Sequence, residues 1–225
     1  MNNNMRNFDT PNPITAILDI PAGRVQLIAT DQTDTTVRIQ PANAAKNRDV
    51  KAAQRTTVDY HDDVLRITDP TSKNKLVGSS GSIDVTIELP AGSRVDAKTA
   101  CCEVRSIGRL GDVTFDGAYR QINIDEAASL HLTAIDGDVE IGRLGGPAQI
   151  STARGDIRIT EAAAGAVVLR THSGDISVTA ATGVSATLDA GTGYGRIDNA
   201  LRNDGDARLD IRATTSHGHI TARSL

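Results

Sequence analysis

The chain has 225 residues and a formal net charge of −4, with aromatic side chains at only 2% of positions and no tryptophan. That charge provides no basic footprint for phosphate backbones, so nucleic acid and anionic membranes are not expected partners. No run of about 18 apolar residues offers a membrane-inserted helix. A core built without aromatics has to be filled by Val, Ile, Leu and Ala in thin layers, which suits a stacked fold better than a globule around one thick core.

In chain order, "MNNNMRNFDTPNPITAILDIPAG" (residues 1–23) starts polar and lacks the apolar stretch of a secretion signal, so a cytoplasmic location is expected. The alternating runs "ITAILDI", "RVQLIA", "TVRIQ", "VLRIT" and "SIDVTIEL" read as half-buried strands, with Ile14, Ala16, Leu18 and Ile20 on one face of the first. Proline and glycine punctuate them at "DIPAG" (19–23) and "ELPAG" (88–92). The polar stretch at 70–82 reads as a loop. All five lysines and six of the seven prolines precede Thr99, so residues 1–98 are expected to form a β-rich N-terminal portion that caps, or is continuous with, the C-terminal portion. The two cysteines are the neighbours Cys101 and Cys102. With Cα atoms about 3.8 Å apart they are poorly placed for a disulfide, and one thiol should face inward and one outward.

From residue 99 to 225 the chain repeats. "QINI", "DVEI", "DIRI" and "DISV" place Ile122, Val139, Ile157 and Ile176 at steps of 17, 18 and 19, and a second series ends in Phe115, Leu132, Ile150, Leu169 and Leu188. Leu132, Ile150 and Leu169 each stand five residues before a glycine: Gly137, Gly155 and Gly174. In the next two units the distance is seven, from Leu188 to Gly195 and from Ile211 to Gly218, which reads as a lengthened turn. Two short strands and two turns per unit predict an all-β parallel β-solenoid of about 17–19 residues per coil, in which stacked units share a core that none could bury alone. Six units are expected from Cys102 onward. Connections this short leave no room for crossover helices, and "TEAAAGA" (160–166) is the only helix-leaning run, so almost no helix is expected.

The repeat decides how the chemical motifs are read. Arg154-Gly155-Asp156 matches an integrin-binding tripeptide, but it occupies the same slot as Asp136-Gly137-Asp138 and Ser173-Gly174-Asp175 and is read as a turn. Asp138, Asp156 and Asp175 then form a carboxylate ladder, a weak candidate for calcium, which Arg196 and His219 interrupt. His172, Ser173 and Asp175 contain the residue types of a hydrolase triad packed into one turn, where they cannot aim at one another. His217 and His219 lack further metal ligands nearby in the sequence. Tyr194, among the glycines of "AGTGYGRID", and Tyr119 are the weak binding candidates. No cofactor and no catalytic residue is assigned.

"THSGDISVTAATG", "LDAGTGYGRIDNAL" and "TTSHGHITA", with "ILDIPAGRVQLIATDQTDTTVRIQP" and "GSIDVTIELPAGSRVDAKTA" upstream, closely resemble the bacterial putative-adhesin family, a β-strand-repeat family of unknown function common in actinobacteria. The resemblance covers nearly the whole chain; it implies a β-solenoid and no catalytic residues. The leading expectation is a non-enzymatic scaffold or protein-interaction module. It would bind an unknown partner, or itself, through a solenoid end, because the C-terminal "HITARSL" should leave an unpaired parallel edge. The alternatives are a carbohydrate-active β-helix lyase, which the short turns disfavour, and a surface adhesin exported by a non-standard route.

Overall fold

The computed structural model describes residues 4–70, 81–117 and 120–225; most of the loop read at 70–82, and Tyr119, lie outside the described residues. The fold is all-β, with a single short helix among the described residues and a mostly parallel network of hydrogen-bonded strands. The strands of the first half are β1 (Asn4–Asp9), β2 (Thr15–Thr30), β3 (Asp34–Pro41), β4 (Thr57–His61), β5 (Val64–Thr68) and β6 (Ile83–Pro90). After them come β7 (Arg94–Asp116), β8 (Ile122–Thr133), β9 (Val139–Leu144), β10 (Ala148–Arg154), β11 (Ile157–Ala162) and β12 (Gly165–Ser173). The last five are β13 (Ile176–Ala180), β14 (Ala186–Tyr194), β15 (Ile197–Ala200), β16 (Leu209–His217) and β17 (Ile220–Ser224). The alternating runs all become strands, and their alternation is obeyed: Ala16, Leu18, Ile20, Val25, Leu27 and Ala29 of β2 are buried while the residues between them are not.

The repeated isoleucines lie side by side. Ile122 pairs with Val139, Val139 with Ile157 and Ile157 with Ile176, all in parallel register. A second row runs from Leu130 through Ala148 to Val167. Each stacked unit therefore gives one strand to each of two parallel ladders, whose inward side chains form one continuous core. "TEAAAGA" belongs to these ladders, closing β11 and opening β12.

At both ends the spatial order departs from chain order. β16 pairs with β12 on one side and β14 on the other, and β17 pairs with β13 and β15. The final unit is thus inserted between residues 165–180 and 186–200, and the C-terminal strand is not an edge. This corrects the expectation for "HITARSL": among the described residues the outermost strands at this end are β14 and β15. The physical reason lies in side-chain content. Leu209, Ile211, Ala213, Ile220 and Ala222 are fully buried, whereas their register partners in β14 and β15 are Ala186, Leu188, Ala190, Ile197 and Asn199, which together have less apolar surface to bury. At the other end β2 lies between β7 and the later segments β5 and β6, so the first unit is also internal.

Beyond β5 and β6 the parallel pattern stops. β4 pairs antiparallel with β5, β3 antiparallel with β6, and β1 antiparallel with β3. The helix α1 (Asn47–Arg55) packs here against β3 and β6, with Asp49, Ala52 and Ala53 facing in. Among the described residues almost no helix is present, as expected, but the helix is not at "TEAAAGA", read as the only helix-leaning run: "NRDVKAAQR" consists largely of good helix formers, and a spacing of three and four residues puts the two alanines and Asp49 on one face. Asp49 Oδ1 accepts the Ser82 amide at 3.0 Å, and Arg55 at the helix end grips buried Asp69 through two 2.8 Å bonds.

The inverted order has a measurable consequence. Ile211→Ala, in a strand packed on both sides, should cost ~2–5 kcal/mol in denaturant unfolding, and Leu188→Ala, in the outermost strand, under ~1.5 kcal/mol. Stacking in chain order demands the opposite ranking.

Candidate functional site

One edge of the stack is a column of turns in which backbone approaches backbone. The amide of Gly137 donates to Arg154 O, Gly155 to Ser173 O, Gly174 to His217 O and Gly218 to Tyr194 O, each at 2.9 Å. Gly137, Gly155, Gly174 and Gly218 hold φ of +133°, +128°, +154° and +149°. A Cβ on Gly155 would lie 2.2 Å from Gly137 O, and one on Gly195 1.8 Å from Gly218 O. At Gly155 glycine is required twice over, by conformation and by clearance.

The residue after each glycine links one unit to the next. Asp138 Oδ1 accepts the amide of Asp156 at 2.9 Å, Asp156 Oδ1 that of Asp175 at 2.7 Å, and Asp175 Oδ1 that of His219 at 2.7 Å. His219 then accepts the amide of Arg196 on Nδ1 at 3.1 Å. The carboxylates are thus structural acceptors for turn amides. Among the described residues no three His, Cys, Asp or Glu side chains converge as a metal site would need.

The threonine three residues before the glycine is a second device, absent from the sequence-based expectations. Thr171 donates to Gly155 O at 3.1 Å, Thr215 to Gly174 O at 3.0 Å and Thr192 to Gly218 O at 2.9 Å. Its signal is T-x-x-G, in "THSG", "TGYG" and "TSHG"; in "TARG" Thr152 donates instead to Arg154 O at 3.0 Å. In the Arg-Gly-Asp tripeptide, Gly155 and Asp156 are turn parts and Arg154 forms an exposed ion pair with Asp136 at 2.8 Å.

The seven-residue spacing in the last two units is not a lengthened turn. Val167 pairs with Ile211 and Ile211 with Leu188, so the residue seven before the glycine is equivalent throughout, two residues away from the expected frame. Tyr194 therefore closes an ordinary strand, beside His217 in register. It is 76% exposed and stacks on the His217 ring at 5.2 Å, while His172 meets His217 edge-on at 5.9 Å. His172 thus faces His217, and Asp175 serves His219, so the triad residue types are not assembled. Cys101 is exposed and Cys102 buried, as alternation requires, and burial, with the neighbouring Cys101 charge, pushes the Cys102 thiol up to about 12.

The open end is formed by residues 186–200. Since the Tyr194 and Arg196 carbonyls are taken by Gly218 and Ile220, strand alternation directs the backbone groups of Gly191, Gly193, Ile197 and Asn199 outward, away from the stack. Ile197, whose row is otherwise fully buried, is 45% exposed here. Beside it Asp175, Arg196, Asp198, His219 and Thr221 line a cleft of about 560 Å³.

A family model described as Toastrack DUF4097 matches residues 23–224. The chain is also similar to a "putative adhesin" from Bacteroides fragilis at 17% identity and a TM-score of 0.45, over 97% of this chain and 95% of that one. A "putative cell adhesion protein" from Clostridium sporogenes is 11% identical with a TM-score of 0.42, over 99% and 100%. For a "Putative lipid binding protein" from Parabacteroides distasonis the values are 12% and 0.42, over 98% and 96%. No curated protein matches the chain.

The turn column and the cysteine pair each lead to a test. Gly155→Val should lower unfolding free energy by at least ~1 kcal/mol, whereas Arg154→Ala, which removes only an exposed ion pair, should change it by less than ~1 kcal/mol. In thiol titration of the native protein near pH 8, Cys101 should react promptly and Cys102 only after denaturation.

Proposed function

The chain belongs to the Toastrack DUF4097 family, and from the geometry of its open end we propose that it is a non-catalytic interaction module that receives an extended segment of a protein partner on β14 and β15. The observation that carries this reading is the outermost unit: two adjacent strands offer unpaired backbone groups beside the exposed Ile197 and Tyr194. Strand addition uses such an edge, with backbone bonds for affinity and side chains such as Tyr194 for selectivity. The stack behind it is a β-solenoid of two-strand coils acting as a rigid scaffold. The N-terminal portion, residues 1–98, serves as its cap; the antiparallel β3 and β4, which cover β6 and β5, support this. Docking is thereby directed to one end.

A photo-crosslinking side chain at Asp198 should give a discrete adduct, to a partner or to a second copy. The same group at Gln149 in the middle of the stack should not, and Gly191→Pro, which removes an outward amide, should abolish the adduct while leaving the circular dichroism unchanged. Equal adducts from both positions would refute docking at this end.

A further inference from the structure

The column of turn acceptors changes chemistry at its last link. Three successive amides are held by Asp138, Asp156 and Asp175 through Oδ1; the fourth, that of Arg196 in the outermost unit, is held by the Nδ1 of His219. A carboxylate remains an acceptor across the neutral and mildly acidic range. An imidazole accepts on Nδ1 only while that nitrogen is unprotonated, and it changes charge between pH 5 and 8.

We propose that His219 is a pH-sensitive clasp on the open end. When Nδ1 takes a proton, the Arg196 amide loses its acceptor, and two donors, with the Arg196 guanidinium nearby, are left facing one another. The Asp175 and Asp198 carboxylates, which line the same cleft, attract the new charge, while Arg196 repels it. Thr221 there is neutral, and along its own strand direction His219 is neighboured by His217 two residues earlier. His172, His217 and His219 all lie on this turn edge, and the first two are in ring contact. Turn and strand 194–200 then loosen from the stack. The regulatory consequence, weaker strand addition at acid pH, rests on the docking reading; the clasp itself does not.

The test is hydrogen exchange on the full chain at pH 7.5 and 5.5, corrected for the intrinsic pH dependence of amide exchange. Protection of the Arg196 amide and of the inward-facing Asp198 and Ala200 amides should fall roughly two- to tenfold at the lower pH, the effect of losing about one hydrogen bond, while 157–162 stays unchanged. His219→Asp places at this link the acceptor used by the other three units and should keep protection at both pH values; His219→Asn, with an amide oxygen acceptor, should do the same. Flat protection in the unaltered chain, or an equal fall in His219→Asp, would overturn the clasp. Neither result bears on docking, which the crosslinking at pH 7.5 reports separately.

Discussion

Everything in this structure depends on how closely one turn lies against the next. Parallel strands stack at about 4.8 Å, and a connection that turns the chain between the two ladders has to keep that spacing. At Gly155 and Gly174 the backbone meets it by adopting positive φ and by presenting no Cβ to the carbonyl of the unit before. The amide is then spent on the following unit, the aspartate holds that unit's next amide, and the threonine satisfies the glycine carbonyl. Local chemistry at three positions thus sets the long-range register. The aliphatic rows fall into line because the turns are in line.

The distinctive chemistry of this column lies where it ends, in the cleft lined by Asp175, Arg196, Asp198, His219 and Thr221. The two ends are built differently. At one, antiparallel strands and a helix cover the first parallel strands. At the other, the unit with the glycine-rich strand is left outermost and the more apolar final unit is drawn inside. Side-chain burial explains that choice: putting Leu209 and Ala222 in the interior removes more apolar area from water than enclosing their register partners Ala186 and Asn199 would. The same choice leaves the weakest-held unit exposed, and its last tie is a histidine instead of a carboxylate.

Much of the fold is legible in the sequence. Alternation at 14–20 and 83–89 marks strands, and the recurrence of Gly-Asp after a fixed interval assigns the Arg-Gly-Asp tripeptide to a turn. The frame of the last units is not legible. Ala148 and Ile150, or Val167 and Leu169, are both aliphatic, whereas Leu188 and Ile211 are each followed two residues later by alanine, so matching the bulkiest side chains shifts the alignment by two. Unit order is hidden for a different reason. Units with equivalent registers pair equally well with several neighbours, and only the total burial of the competing arrangements selects one. The helix escapes because its buried face consists of two alanines and an aspartate, too little apolar surface to register as a periodic stripe.

The insertion of the final unit between its two predecessors is the claim from which the open end, its clasp and its docking role all descend. Disulfide trapping tests it directly, in a Cys101→Ser background with cysteine pairs at outward positions. Val168 is paired with Arg212, and Asp189 lies one strand further out, paired with the other side of Arg212. Val168→Cys with Arg212→Cys should crosslink readily under mild oxidation, and Val168→Cys with Asp189→Cys should not. Crosslinking of the second pair in preference to the first would mean that the units stack in chain order, which would contradict the insertion and remove the basis for the open end at β14 and β15.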